Sequence, residues 1–451
     1  MERLGDKPAL QWMNAKSDTE FTGWSWRQYR EQVQSFARSL VKVGMAPFQS
    51  VNIMGFNSRH WLVANVGAIA AGGMAAGVYT TSAPKAVAYQ MKHSEAAVAV
   101  VDGVAQLGKF KPIVGDLPQL KALVVYNCTE VPSDLKAALK AGGKVKVYTW
   151  DAFMGLGSEA QDGEVASRIA AAKPGNCCTL IYTSGTTGIP KAVMISNDNA
   201  TWTAQQLAES IESSPSDRGV SYLPLSHVAA QILDIHVPMC MLLLLLLLLH
   251  TLSISLYLAL LPPSLASVTG SVVYFAFPDA LKGTLGLTLK AAQPTVFFGV
   301  PRVWEKFMAA LSAVQAPPAA KRGAVGLGKC RVAYTGAAPT SPEVFTFFDS
   351  IGLPLFEVFG QSECTGPQCV NLPAIGDKPE RRKVGTCGPA LPGTEMRIVA
   401  ETKEVVYRGR HIMMGYMKSP EKTREAIDSE GECWVQCTCV CDCVTVWLGV
   451  D

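Results

Sequence analysis

Lys191 closes a decapeptide, Tyr182-Thr183-Ser184-Gly185-Thr186-Thr187-Gly188-Ile189-Pro190-Lys191, in which hydroxyls, glycines and a cation are gathered. Gly185 and Gly188 allow backbone conformations closed to other residues, so several N–H groups can turn into one concavity. Thr183, Ser184 and Thr186 add hydroxyl donors, Thr187 is a fourth candidate, and Lys191 brings a full positive charge. Such a set suits the phosphates of a nucleoside triphosphate. A Walker A loop would need Gly-Lys-Ser/Thr followed by a helix. Here Pro190 precedes Lys191, Ala192 follows, and the continuation is an apolar run typical of a strand. An ordinary Gly/Ser/Thr hairpin loop is the remaining alternative.

Three further groups lie downstream. Val220-Ser221-Tyr222-Leu223-Pro224-Leu225-Ser226-His227 ends an apolar run in an imidazole, which can donate a hydrogen bond or carry charge near neutrality. Alone, such a histidine is more often a packed or solvated one. Val332-Ala333-Tyr334-Thr335-Gly336-Ala337-Ala338-Pro339 reads as a strand ending in a small-residue turn, which lets a flat base approach the backbone closely. A plain β-turn before a helix at Pro342 explains the same letters. In Leu355-Phe356-Glu357-Val358-Phe359-Gly360-Gln361-Ser362-Glu363, Phe359 offers a ring face, Gly360 a turn and Ser362 a phosphate donor. Glu363 is a hard oxygen ligand of the kind Mg²⁺ accepts alongside phosphates and water. A lone Ser-Glu pair would otherwise read as a helix cap.

Together these strings resemble the adenylate-forming superfamily, which includes acyl-CoA synthetases, peptide-synthetase adenylation domains and luciferases. The decapeptide is similar to its signature phosphate loop, Pro224 to His227 to its Pro-Leu-x-His turn, and Phe359 to Glu363 to its aromatic-Gly-x-Ser/Thr-Glu motif. Phe359 stands where the family usually has tyrosine, so stacking is kept and a hydroxyl contact is not. Pro278 to Leu285 and Pro294 to Lys306 resemble long-chain acyl-CoA synthetases of the bubblegum type. The resemblance implies an α/β fold: an acetyl-CoA-synthetase-like large N-terminal domain of two α/β subdomains plus a small β-rich subdomain. It also implies ATP, Mg²⁺ and coenzyme A as cofactor and co-substrates, and a long-chain fatty acid as the acid activated. Thr183 to Lys191 would grip the β- and γ-phosphates, and His227 would lie at the carboxylate. Gly336, Ala337, Ala338 and Val358 to Ser362 would contact the nucleotide, and Glu363 would hold the metal. His227, Lys191 and Glu363 are the expected catalytic groups.

The elements that must position these residues are legible in outline. A chain of 451 residues is too long for one ordinary core. With 49% hydrophobic and 17% charged residues it is globular, and a net charge of +3 argues against a nucleic-acid partner. Ser25 is placed to cap a helix with the stripe Tyr29, Val33, Phe36 and Leu40, stopped at Gly44. Strands near Val51, Ala76, Ala97 and Ala122 alternate with helices, the pattern of a largely parallel sheet. Gly77 to Pro84 resembles a turn that adenylating enzymes place beside the acyl pocket, and also reads as a capped helix start. Residues 150–175 read as a connection. Glu404 to Gly409 and Met414-Gly415-Tyr416 read as parts of the small β-rich subdomain. Arg302 and Trp304 are given no role.

Two stretches depart from the family. Leu242 to Leu249 are consecutive leucines within a run that carries no Asp, Glu, Lys or Arg from Met239 to Leu261. The run meets the length of a membrane span, but it has few basic anchors and ends at Pro262-Pro263. Related sequences pass straight from about Cys240 to about Val272, so 241–269 is expected to be an aberrant insertion, with a membrane anchor as runner-up. Ala316 to Ala320 shortens a helical region. Beyond 434 the expected Gly-Asp is replaced by cysteines at every second position, spacing that does not suit zinc. The expected organisation is therefore a 1–434 adenylation domain with a non-homologous 435–451 tail, lacking the mobile C-terminal domain and its lysine. Both half-reactions of such a chain are expected to be badly impaired.

The chain opens without a signal-peptide pattern, so reduced cysteines and a cytoplasmic location are expected, with peripheral association at the endoplasmic reticulum membrane left open. The alternatives to a ligase are a non-catalytic nucleotide- or acyl-binding fragment, a membrane-anchored protein, and a peptide-synthetase adenylation domain.

Overall fold

The computed structural model describes residues 5–18, 20–158, 163–183, 190–240, 270–374, 379–399, 401–402, 404–428 and 433–435. The leucine run, the cysteine-rich tail beyond 435 and Ser184, Gly185, Thr186, Thr187, Gly188 and Ile189 lie outside these residues.

Period-two burial organises the first half of the chain. Along Ala96–Asp102 and Ala122–Tyr126, Val98, Val100 and Val124 enter one core while Ala99, Val101, Leu123 and Val125 enter another. A strand buried on both faces reads as a continuous apolar run, which is why these segments show no polar alternation. They belong to an eight-stranded sheet. From edge to edge it runs Gly415–Tyr416, Lys191–Ser196, Cys177–Thr183, Met74–Val78, Ser50–Met54, Ala96–Asp102, Ala122–Tyr126 and Lys146–Thr149. The last six strands are parallel, and the first two pairings are antiparallel.

The helix Trp26–Lys42 covers one face. Its capping box is complete: the Gln28 amide donates to Ser25 Oγ at 3.3 Å, and the Ser25 amide donates to Gln28 Oε1 at 2.8 Å. Such a cap contributes about 1 kcal/mol. Phe36, fully buried, stacks on Trp150 with ring centroids 5.2 Å apart. Residues 150–175, expected as a connection, instead form the helices Trp150–Ser158 and Gly163–Ala171. The reason is apolar anchoring: Trp150, Phe153 and Val165 are buried in the same core as Phe36.

Three smaller sheets complete the described fold. Arg218–Ser221, Val272–Phe275, Pro8–Trp12 and Thr22–Ser25 form one. Val296–Gly299, Val332–Gly336 and Leu355–Gln361 run parallel, with Gly366–Val370 antiparallel at the edge. The third joins Glu395–Ile398, Val405–Arg408 and Cys433–Val435. Val435, assigned above to the tail, therefore closes a strand. Gly415–Tyr416 is not part of this small sheet; it pairs with Val193 and Met194 at the edge of the large one.

Two contacts brace the fold behind the site, one within a sheet and one between two sheets. Trp304, fully buried, donates its indole N–H to the carbonyls of Gly299 (3.0 Å) and Tyr334 (3.1 Å), on neighbouring strands. Arg331 grips Asp217 at 2.7 and 3.0 Å and also reaches the carbonyl of Ile211, while Thr295 donates to the same carboxylate at 2.6 Å. Burial alone would raise the Asp217 carboxyl, but the bonds from Arg331 and Thr295 outweigh it and hold the group below the ordinary aspartate range.

Among the described residues no helix is long and apolar enough to cross a membrane. The described cysteines from Cys128 to Cys387 are free thiols.

Candidate functional site

The strands Cys177–Thr183 and Lys191–Ser196 form an antiparallel pair in which Thr183 lies opposite Lys191. The glycine-rich loop thus springs from a fixed two-point base. Three other strand ends converge on that base: the turn after Arg218–Ser221 carrying His227, the turn after Val332–Gly336, and the end of Leu355–Gln361. Between them lies a cleft of about 400 Å³. Ligand sites at the carboxyl ends of parallel strands follow from this geometry, because the loops there are free to carry chemistry.

Of the residues singled out from sequence, Thr183, Lys191, His227, Ala337, Val358, Gly360, Gln361, Ser362 and Glu363 line the cleft. Gly336, Ala338, Phe359 and Pro190 are not among its lining residues. The reasons differ. A Cβ on Gly336 would lie 2.7 Å from Val358, so this glycine sets the spacing of two strands rather than touching a base. Pleating sends Val358 to the cleft and Phe359 to the opposite face, where its ring packs with Cys364, Val405 and Tyr407. Pro190 accepts a hydrogen bond from the Tyr89 hydroxyl at 3.1 Å through its carbonyl. The aromatic surface of the cleft comes instead from Phe298 and Tyr334, which sequence reasoning passed over.

His227 caps the short helix Val228–Gln231: its Nδ1 accepts from the Ala229 amide at 3.2 Å. An accepting Nδ1 leaves the proton of a neutral ring on Nε2, as a donor. Desolvation draws this imidazole below the ordinary histidine value, so the neutral form prevails at pH 7. The turn is held close to the large sheet, since a Cβ on Gly77 would come within 2.5 Å of Ser226 Cα.

Glu363 occupies the 3-10 turn Ser362–Cys364. Its Oε1 accepts a hydrogen bond from the Tyr416 hydroxyl at 2.8 Å, and Lys191 Nζ sits 4.2 Å from the centre of the same tyrosine ring. Of the described lining residues, Glu363 alone carries a carboxylate. Among the described residues no group of three or more His, Cys, Asp or Glu could hold a metal. One carboxylate opposite a lysine and a ring of hydroxyl and amide donors fits a divalent cation whose other ligands are phosphate oxygens and water.

Behind the cleft lies a second cavity of about 70 Å³. It shares the walls Leu233, Phe298 and Tyr334 with the cleft and contains Asp234, whose carboxyl burial pushes up to about 7. The carrying segment Ile232–His236 is a π-helical turn, a distortion that projects neighbouring side chains into both spaces.

Comparison with known proteins gives the family and the fold of the chain. The family model "AMP-binding enzyme" matches residues 1–245 and 242–417. The chain is 35% identical over 480 residues to the long-chain-fatty-acid–CoA ligase ACSBG2 of Xenopus laevis, covering 96% of this chain and 59% of that protein. It is 33% identical to the human ACSBG2, covering 96% of this chain and 65% of that protein. It is 35% identical to the rat ACSBG1, covering 90% and 57%. The chain thus spans about three-fifths of the length of the curated relatives it matches. Among solved structures, the A-PCP didomain of a carboxylic acid reductase from Segniliparus rugosus in complex with AMP aligns with a TM-score of 0.74 at 21% identity, over 96% of this chain and 61% of that one. The anthranilate CoA ligase AuaEII in complex with anthranoyl-AMP aligns with a TM-score of 0.70 at 18% identity, over 96% and 72%. At those identities the likeness is one of fold: acetyl-CoA-synthetase-like adenylation domains.

Proposed function

The chain belongs to the AMP-binding enzyme family, and from that membership and the cleft we propose that it activates a long-chain fatty acid with ATP, as the adenylating part of a fatty acid–CoA ligase. The observation that carries the reading is that one cleft receives Thr183 and Lys191 from the loop base, Glu363 from a different sheet, and His227 from a third turn.

In this reading the residue numbers keep the roles expected from sequence, except where the cleft differs. Thr183, Lys191 and the loop Ser184–Ile189 bind the β- and γ-phosphates. Lys191 neutralises charge there, and Ser362 donates to a phosphate oxygen. The base lies against Ala337, Val358 and Gly360, with Tyr334 supplying the aromatic face that Phe359 does not. Glu363 would hold Mg²⁺, which when bound offsets phosphate charge and orients the chain of phosphates. His227 donates Nε2–H to the fatty-acid carboxylate or to an α-phosphate oxygen. The acyl chain extends along Leu233 and Phe298 toward the inner cavity. A carboxylate oxygen attacks the α-phosphorus, the bond to the β-phosphate oxygen breaks, and acyl-adenylate and pyrophosphate form. In the second half-reaction the coenzyme A thiol adds at the acyl carbon, loses its proton, and AMP departs. The residues named contribute positioning and preorganised charge.

The one-domain organisation of 1–434, interrupted by 241–269, belongs to the same proposal. So does a cytoplasmic protein meeting its lipid acid at a membrane surface. ATP–pyrophosphate exchange with oleate, together with equilibrium ATP binding, tests the reading. Oleate-dependent exchange supports it, a rate near that of a full-length relative would defeat the impairment expected from sequence, ATP binding without exchange reduces the chain to a nucleotide-binding fragment, and no ATP binding at millimolar concentration overturns it.

A further inference from the structure

Lys191 and Glu363 carry opposite charges on the wall of one cleft, yet among the described residues they form no ion pair with each other. Tyr416 engages both. Its hydroxyl donates to Glu363 Oε1 at 2.8 Å, and its ring lies 4.2 Å from Lys191 Nζ. The ring itself is buried.

The backbone around Tyr416 is built to hold it there. The Met413 amide donates to the carbonyl of Glu363 (2.9 Å), the Met414 amide to that of Met194 (2.9 Å), and the Met417 amide to that of Ala192 (2.9 Å). Asn199 donates to the carbonyls of Arg410 and Ile412 at 2.6 and 2.9 Å. The Tyr416 amide donates to Thr423 Oγ1 at 2.9 Å, and Gly415 has φ +125°, with Thr423 within 2.6 Å of where a Cβ would stand. Residues 410–417 thus form a strap that binds the Lys191 strand on one side and the Glu363 turn on the other.

We infer that Tyr416 is a positioning residue: it fixes the Glu363 carboxylate toward the cation of a bound nucleotide and keeps Lys191 from closing onto it. The inference rests on the nucleotide reading proposed above. A neutral donor on one carboxylate oxygen fixes the rotamer and leaves the other oxygen for a cation, as outer-shell partners of metal ligands do. The aromatic face attracts the ammonium without neutralising it, so its charge remains available to phosphate.

The test is ATP affinity of the full chain in EDTA and in Mg²⁺, for wild type, Tyr416→Phe, Glu363→Gln and the double variant, with thermal melting as a control for folding. Tyr416→Phe keeps the ring and should leave metal-free ATP affinity within about twofold while reducing the Mg²⁺-dependent gain about tenfold. The double variant should lose no more than Glu363→Gln alone, since the hydroxyl acts through that carboxylate. A full Mg²⁺ gain in Tyr416→Phe, or additive losses in the double variant, overturns the inference alone. Absence of ATP binding by wild type overturns the nucleotide reading and this inference with it.

Discussion

Thr183 closes a strand of the eight-stranded sheet and Glu363 sits in a turn beyond a strand of a separate sheet, yet both line the same cleft. Nothing local joins them. The strap at 410–417 bridges them, bonding the Glu363 carbonyl on one side and the carbonyls of Met194 and Ala192, on the strand paired with that of Thr183, on the other.

His227→Ala should lower oleate-dependent pyrophosphate exchange by about a hundredfold while leaving ATP affinity within about twofold. The wild-type rate should fall on acidification, because protonation turns Nδ1 from acceptor to donor, breaks its bond from the Ala229 amide and loosens the turn that holds the ring. Desolvation lowers this imidazole, so the acidic limb should lie below the ordinary histidine value of 6.5. A histidine-dependent limb at or above that value would count against the assignment.

Gly77→Ala places a Cβ within 2.5 Å of Ser226 Cα and must push the His227 turn outward. Urea unfolding should show a loss of about 1–3 kcal/mol, and exchange should fall toward that of His227→Ala. Gly108→Ala, at a helical position where nothing lies within 4 Å of the added carbon, is the control: it should leave exchange unchanged and raise stability by up to about 1 kcal/mol.

Glu357 is 5% exposed, and burial pushes its carboxyl from the ordinary 4.5 up to about 7. Its contribution to stability is complete below pH 4.5 and is lost as pH rises through about 7, where the folded protein must bury a charge. Glu357→Gln keeps an acceptor for the Thr340 amide without that charge. The variant should match wild type near pH 4 and exceed it by up to about 3 kcal/mol at pH 8. Parallel stability curves for the two proteins would refute this.

Trp304→Ala removes a fully buried indole that bonds two strand carbonyls and meets Phe297 and Phe348 edge-on. A loss of about 3–5 kcal/mol is expected by chemical denaturation. Trp304→Phe should recover the packing part and leave the carbonyls unsatisfied, so it should fall between the two.

The sequence by itself determined the local units. Capping residues fixed the helix at Trp26, and uninterrupted apolar runs fixed the doubly covered strands. Residues 183–191 and 360–363 stood out as candidate phosphate and metal contacts because hydroxyls, glycines and charges at short spacing admit few uses. Only tertiary structure decided which side chains share a cleft. A register irregularity between Phe359 and Gly360 and the pleat before it turn Phe359 away and Val358 inward, and neither is encoded in residue type. Tyr416 was misplaced for a related reason. A two-residue edge strand has no periodicity of its own, so its partner is chosen by backbone groups left unpaired on a distant hairpin, at Ala192 and Met194.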